Sequence, residues 1–276
     1  MSTITAATVK ALREKTGLPM MDCKKALEEA NGDEGRAIEI MKEKGQLRKA
    51  KMADREAGEG RVAIWTDPAR KIGAIIELRC ETAPVAQTDD FEKLATTLAQ
   101  YVAENEGATV ETLPTLPRKD KPGAKVSDLV DEVFNRLREN IQISRFERFS
   151  GDLGKYVHFD GRTGAIVELS GPCPDELSNG VCMHIVAMNP PIRAREDADP
   201  AEVARERATL EADVKGKPPE IAAKIVDGKL GRWFSEFVLL EQPYVKDDKK
   251  SISQALDEAS KGLTIKRFRR FQVGGA

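Results

Sequence analysis

Few residues in this chain are of types that could carry covalent chemistry. Of the 276 residues only two are histidines, His158 and His184, and they fall in separate predicted elements. Cys23 lies near the start of a predicted helix, which can lower the pKa of a thiol. No histidine lies near it in sequence to act as its base. The chain also lacks GxSxG, HExxH, phosphate-loop and dinucleotide-binding glycine motifs. The sequence therefore predicts no catalytic residue, and an enzyme that uses Cys23 or His184 is a distant alternative.

The cysteines and the charge balance narrow the class of protein further. The cysteines stand singly, without a CxxC pair, at Cys23, Cys80, Cys173 and Cys182. This pattern favours free thiols in a reducing compartment over a zinc site or a disulfide framework. The 44 basic residues nearly balance the 46 acidic ones, so nothing attracts the whole chain to nucleic acid. No stretch approaches the ~20 apolar residues of a membrane span, and the N-terminus lacks the order of a secretory signal. We expect a cytoplasmic protein with no metal, no cofactor, no direct nucleic-acid partner and no membrane contact.

The pair Met20-Met21 is the most distinctive feature of the N-terminal region. Unbranched methionine is a residue type used on adaptable docking surfaces. The pair heads the second of three predicted short helices, which we expect to end at Gly17, Gly32 and Gly45. The apolar positions that mark these helices are Val9 and Leu12; Cys23, Ala26, Leu27 and Ala30; Ala37, Ile38 and Met41. Two interpretations stay open, because the methionines either form a docking face or pack as a hydrophobic staple.

An internal repeat organises the rest of the chain. Residues Gly73 to Leu78 return as Gly164 to Leu169, and Ile143 to Phe149 return as Ile265 to Phe271. Both strings are rich in β-branched and aromatic residues, which is typical of strands. The repeat predicts two related α+β subdomains, each with a hairpin, intervening helices and a closing strand.

The second repeat is longer than the first by about one helical pair. Asp199-Pro200 is a helix-start signal, and Gly216-Lys217-Pro218 is a tight break between two apolar helical patterns. The simplest account is an antiparallel helical hairpin at about residues 199–233, protruding from the second subdomain.

One N-terminal string consists of Leu12-Arg13, then Thr16 to Leu27, and closes with Asn31-Gly32-Asp33. It closely resembles a module of the bacterial elongation factor Ts family. In that family the module is a small ubiquitin-associated-like bundle that docks on the nucleotide-binding domain of the GTPase elongation factor Tu. The family also has a two-part core and a protruding helical hairpin, so the resemblance covers nearly the whole chain. It implies that the following residues contact the GTPase: Leu12, Arg13, Met20, Met21, Asp22, Cys23 and Lys24.

Together, the patterns and the resemblance predict an α+β fold. We expect a three-helix ubiquitin-associated-like bundle at residues 1–55 and a first core subdomain at 56–150. A second core subdomain, which carries the hairpin, is expected at 151–245. A C-terminal module at 246–276 completes the core.

The resemblance also points to an exchange element in the first subdomain. The family has a Thr-Asp-Phe-Val string there, whose Phe intrudes into the GTPase and perturbs its magnesium site. The aligned residues here are Thr82, Ala83, Pro84 and Val85, so the Asp and the Phe are replaced. His184 aligns with a family His-Val-Ala string in a region that contacts the GTPase; a satisfied histidine at the edge of an apolar helix is the alternative.

Glu139-Asn140-Ile141 matches a family string that precedes the closing strand. We interpret this string as structural, with Asn140 in a turn that leaves the preceding helix.

The function that this resemblance implies is guanine-nucleotide exchange in protein biosynthesis. A partner that binds best to the nucleotide-free GTPase lowers its affinity for GDP by the same factor that GDP lowers partner affinity. A small displacement of the magnesium ion, which demands near-octahedral oxygen ligands, is enough to release GDP. The partner is then elongation factor Tu, both GDP-bound and nucleotide-free. The changed string at Thr82–Val85 leaves open a GTPase-binding interaction protein with reduced or lost exchange activity. The hairpin leaves open a homodimer or a 2:2 complex.

Overall fold

The computed structural model describes residues 4–275. Residues 1–3 of the predicted 1–55 module and residue 276 of the predicted 246–276 module therefore lie outside the described part. The chain forms two compact units: unit 1 contains residues 4–63, 76–146 and 273–275, and unit 2 contains residues 64–75 and 147–272. Helices and small sheets occur in both units, which confirms the α+β class. No helix within residues 4–275 has the length and apolar character needed to cross a membrane.

Unit 1 begins with three helices, α1 (Ala6–Thr16), α2 (Met20–Glu29) and α3 (Glu34–Met52). The side chain of Thr5 accepts a hydrogen bond from the Thr8 amide at the start of α1, and Gly17 ends α1 in the left-handed conformation. The predicted apolar positions of the three helices pack into one small core, formed by Val9, Leu12, Cys23, Ala26, Leu27, Ala30, Ala37 and Met41.

The prediction that Gly45 ends the third helix is wrong, because α3 continues through Gly45 to Met52. Gly45 is buried, and a Cβ atom there would lie 2.3 Å from Oδ1 of Asn135. A glycine ends a helix when it adopts a left-handed conformation, whereas this one provides room for a neighbouring side chain.

The rest of unit 1 surrounds a long amphipathic helix. In chain order the elements are β1 (Glu59–Asp67), β2 (Ile72–Cys80), α4 (Ala83–Ala86), α5 (Asp89–Glu104), α6 (Val126–Leu137) and β3 (Gln142–Ser150). The strands form a sheet in the order β1-β2-β3, and the boundary between the two units falls inside each of them. The buried residues of α5 include Phe91, Leu94, Leu98 and Val102.

Unit 2 combines an antiparallel sheet with helices. Its elements are β4 (Asp152–Val157), β5 (Thr163–Leu169), α7 (Asp175–Met188), α8 (Pro200–Asp213), α9 (Pro219–Phe237), β6 (Pro243–Tyr244), β7 (Asp247–Ser251), α10 (Ile252–Ala259) and β8 (Ile265–Gln272). The sheet order is β4-β5-β8, so the second string of the internal repeat pairs directly with β5. The helices α8 and α9 occupy the segment predicted as a hairpin and share an apolar cluster of their own, which includes Leu210, Val226 and Phe234.

Equivalent residues of the internal repeat form equivalent ion pairs in the two units. In unit 1, Nε of Arg145 donates to Oε2 of Glu77 at 2.7 Å. In unit 2, Nε of Arg267 donates to Oε2 of Glu168 at 2.8 Å. These glutamates and arginines hold matching positions in the two repeated strings, so each unit joins its central strand to its closing strand in the same way.

Candidate partner-binding site

The first turn of α2 projects two methionines into solvent. Met20 is 40% exposed and Met21 is 59% exposed, whereas Cys23, Ala26 and Leu27 turn inward. Helical periodicity agrees with this division: Cys23, Ala26 and Leu27, at spacings of three and four, share the inner face, whereas Met21 lies on the opposite side and Met20 lies at the flank in the first turn. At these exposures neither methionine is a core residue of the bundle.

The other predicted docking residues fall into two groups. Arg13 and Lys24 are exposed, while Leu12 and Cys23 are fully buried in the helical core. The Cys23 thiol donates to the Leu18 carbonyl at 3.7 Å, inside the bundle. We call the exposed residues of this set, Arg13, Met20, Met21 and Lys24, the methionine surface; Leu12 and Cys23 belong to the core of the same bundle.

Polar contacts attach this helical module to α6. Asp22 is half-buried and forms an ion pair with Arg138, which follows α6. Further along the module, Nζ of Lys49 lies 2.5 Å from Oδ1 of Asp131 on α6. Both ties join residues of unit 1, so the methionine surface is anchored to the rest of that unit.

The string predicted as an exchange element forms a short exposed turn. Ala83 begins the four-residue helix α4, with Thr82 just before it. Thr82, Ala83 and Pro84 are exposed, Val85 is half-buried, and Ala86 is buried. We call residues 82–85 the exchange turn; its outermost surface is small and apolar at Ala83 and Pro84.

A carboxylate holds the base of the exchange turn. Glu139 accepts hydrogen bonds from the backbone amides of Glu81, at 3.1 Å, and Thr82, at 2.9 Å. It also accepts from Oγ1 of Thr82 at 2.5 Å. The adjoining thiol of Cys80 donates to the Thr82 carbonyl, and burial together with the negative charge of Glu139 raises the pKa of Cys80 to about 12. This thiol therefore stays protonated at neutral pH.

The structure corrects the role expected of Asn140. Arg138, not Asn140, adopts the left-handed conformation that ends α6. Asn140 is 5% exposed, and its amide nitrogen donates to the carbonyls of Ala53 and Arg55, at 3.1 and 2.8 Å. The sequence string did indicate a structural role, but the partners of Asn140 lie more than 80 positions away and carry no local signal.

His184 is fully buried in unit 2, at 0% exposure. Its Nδ1 accepts a hydrogen bond from the Val245 amide at 3.2 Å, so Nε2 carries the proton and donates to Oε1 of Gln242 at 2.9 Å. Burial lowers the pKa of His184. The ring has no surface for direct contact with a partner, whereas the neighbouring Val245 is 49% exposed.

Unit 2 carries exposed apolar residues that sequence reasoning missed. Phe159, in the turn between β4 and β5, is 87% exposed, and Met188, at the end of α7, is 51% exposed. Nε of Arg270 donates to the carbonyl of Val186, which ties the end of α7 to β8 near the end of the sheet that bears this turn. A single exposed phenylalanine in a turn has no periodicity, so only its exposure reveals it.

Among the described residues no three His, Cys, Asp or Glu side chains are grouped for metal binding. The four cysteines are free, and three of them are buried.

Comparison with known proteins assigns a family to most of the chain. The family model described as elongation factor TS matches residues 81–275. A protein named elongation factor Ts from Aquifex aeolicus is 40% identical over 280 residues, which cover 97% of this chain and 97% of that protein. A protein of the same name from Clostridium perfringens is 40% identical, and the match covers 98% of this chain and 93% of that protein. Another from Streptomyces griseus is 41% identical, and the match covers 99% of this chain and 100% of that protein.

Proposed function

The chain belongs to the elongation factor Ts family, and on that premise we propose that it binds elongation factor Tu–GDP and promotes GDP release during translation elongation. Its place of action is then the cytoplasm, where it needs no cofactor of its own. The observation that carries the proposal is that unit 1 combines an exposed methionine surface with an exposed turn at the aligned exchange element.

The physical requirement for exchange is differential binding. A protein that binds nucleotide-free elongation factor Tu more tightly than the GDP complex must weaken GDP binding by the same factor. The methionine surface supplies apolar contact area that adapts to a partner, and Arg13 and Lys24 add two positive charges at its edge. The exchange turn then perturbs the phosphate and magnesium site of the GTPase.

We propose that unit 2 supplies a second contact surface, centred on Phe159 and Met188. His184 contributes indirectly in this proposal, since its Nδ1 holds the amide of the exposed Val245. Large aromatic and unbranched side chains are frequent anchors of protein interfaces. His184 is thus a positioning residue and not a direct contact.

The direct test is stopped-flow release of a fluorescent GDP from elongation factor Tu at millimolar magnesium, with and without this chain. Acceleration that saturates with the concentration of this chain is the expected result. Formation of a complex without any acceleration would contradict exchange and leave only binding.

The second candidate function is a GTPase-binding protein with reduced or lost exchange, and the residues at positions 83 and 84 favour it. Pro84 is rigid and shorter than the Phe of the family string, and Ala83 lacks the carboxylate. Both side chains are exposed, so the double variant Ala83→Asp/Pro84→Phe should fold normally.

This double variant separates the two candidates. If the chain is an efficient exchange factor, the variant changes the maximal release rate by no more than a few-fold. A gain of roughly 100-fold at unchanged affinity, which is the scale of a repositioned catalytic contact, would favour the binding protein.

The helical hairpin formed by α8 and α9 raises the question of the oligomeric state of the complex, which can be tested. Ile221, near the start of α9, is 52% exposed, which is compatible with a homodimer or a 2:2 complex through α8 and α9. Light scattering of the complex at micromolar concentration gives its mass. If the hairpin joins two copies, Ile221→Glu should convert a 2:2 complex into a 1:1 complex, while a wild-type 1:1 mass would exclude this role.

A further inference from the structure

Three hydrogen-bond donors converge on one carboxylate at the base of the exchange turn. The donors are the amides of Glu81 and Thr82 and the hydroxyl of Thr82, and all three bind Glu139. Glu139 is half-buried and follows α6 in the chain, more than 50 positions from the turn. Charge-assisted bonds of this kind are about twice as strong as neutral ones, so the carboxylate restrains the turn more than a single amide contact would.

The segment Glu139-Asn140 also contacts the residues that follow α3, the last helix of the N-terminal module. The backbone amide of Asn140 donates to Oε1 of Glu81 at 2.8 Å, so the bonds between the two segments run in both directions. The Asn140 side chain meanwhile donates to Ala53 and Arg55, directly after α3. Nη1 of Arg55 lies 3.4 Å from Oε2 of Glu81, which closes the network.

We infer that Glu139 positions the exchange turn, and that Glu139-Asn140 couples that turn to the docking module, an inference that rests on the proposed function. Docking of the methionine surface then places Ala83 and Pro84 at a set position on the GTPase. A loose turn would have to lose its conformational freedom at the moment of insertion, and that entropy cost would raise the barrier to GDP release. A turn that is already held avoids this cost.

Two substitutions of Glu139 separate its bonding geometry from its charge. In Glu139→Gln the amide oxygen can accept from both backbone amides, and the new amide nitrogen can donate to Oγ1 of Thr82, which is also an acceptor. Glu139→Ala removes all three bonds. Glu106→Ala serves as the matched control, because Glu106 is an exposed glutamate in a loop of the same unit.

The expected result is a split between maximal rate and affinity. Glu139→Ala should lower the maximal rate of GDP release roughly 10-fold to 100-fold, the cost of misplacing a reacting contact, and change the affinity for elongation factor Tu less than threefold. Glu139→Gln should keep the rate within about threefold of wild type, and Glu106→Ala should match wild type. Thermal unfolding of each variant confirms that it is folded.

A second readout does not depend on the GTPase. In hydrogen exchange of the free protein, the amides of Glu81 and Thr82 should exchange at least tenfold faster in Glu139→Ala and at the wild-type rate in Glu106→Ala, because only the first variant removes their acceptor. An alanine variant with wild-type GDP release and wild-type amide protection would overturn the inference. So would an equal loss of rate in the alanine and glutamine variants, or a loss of affinity alone. If wild type itself does not accelerate release, the proposed function fails and the inference falls with it.

Discussion

At the scale of single residues, the side chains at the start of α2 fall into two groups, one buried in the core and one exposed. Cys23 belongs to the motif by its sequence, yet its side chain lies in the core of the bundle, whereas Met20 and Met21 lie outside. Substitution of Cys23 would therefore act through stability, and substitution of the methionines through binding. Whether a side chain is buried or exposed thus decides whether its substitution changes the stability or the binding affinity.

We predict that Met20→Ser/Met21→Ser weakens binding to elongation factor Tu by roughly 10-fold or more, which is the scale of a lost hot spot. Both side chains are largely exposed, so the melting temperature should change little. Titration of the complex measures the affinity. Leu47→Ser is the control, because Leu47 is an exposed apolar residue of the same module, at 66% exposure. Equal losses in the two variants would show that the methionine surface is not specific.

His184 gives the stability of unit 2 a pH dependence. Because burial lowers its pKa in the folded protein, the unfolded chain binds a proton more readily below the ordinary pKa of about 6.5. The contribution of His184 to the stability of the fold is thus fully present above about pH 6.5, and it declines as the pH falls toward the pKa of His184 in the folded protein. We predict a melting temperature that falls from pH 7.5 to pH 5.5, and a shallower fall in His184→Gln.

The other histidine provides the comparison. His158→Gln is the matched substitution, because it removes the second histidine of unit 2, which is partly exposed, and leaves His184 in place. A steep pH profile that persists in His184→Gln would assign the titration to carboxylates instead.

At the scale of elements, close approach of backbones determines how α7 lies on its sheet. Gly154 of β4 is buried, and a Cβ atom there would lie 2.6 Å from the carbonyl oxygen of Ser178 on α7. A strand residue with a side chain would push the helix away, so the glycine permits the contact. The same arrangement helps to hold α7 where it presents His184 to Gln242 and Val245.

We predict that Gly154→Ala lowers the free energy of unfolding of unit 2 by about 2–3 kcal/mol, because the atoms in the way belong to the backbone of α7. Urea denaturation followed by the fluorescence of Trp65 and Trp233, which both lie in unit 2, measures it. Gly228→Ala in α9 is the control, since no atom lies within 4 Å of the added Cβ. That variant should gain up to about 1 kcal/mol from helix propensity. A Gly154→Ala protein as stable as wild type would contradict the close approach.

At the scale of the whole molecule, each unit presents its own exposed apolar surface. Unit 1 has the methionine surface, and unit 2 has the surface around Phe159 and Met188. The two repeats share an ion-pair arrangement between the central and the closing strand, while the helical module belongs to unit 1 and the helical hairpin to unit 2. A GTPase held by two surfaces gains affinity from both without any new chemistry.

We predict that Met21→Ser and Phe159→Ser each weaken binding roughly 10-fold and that their free-energy effects add, because residues in separate surfaces do not share contacts. The affinities of the two single variants and the double variant complete the cycle. No effect of Phe159→Ser would exclude unit 2 as a contact surface, and strong non-additivity would mean that the two surfaces do not act independently.

The sequence by itself determined the elements and the family of this protein, because both depend on local signals. Apolar periodicity, glycine and proline positions and the repeated strings give α1, α2, the α8–α9 hairpin and the strands β5 and β8. Only the tertiary structure decided which single side chains are buried, closely approached or hydrogen-bonded. Gly45 lies inside a helix because Asn135 approaches it, His184 is buried by Gln242, and Glu139 holds a turn far away in the chain. Such contacts join residues separated by tens of positions, so they arise from packing and leave no pattern in the neighbouring sequence.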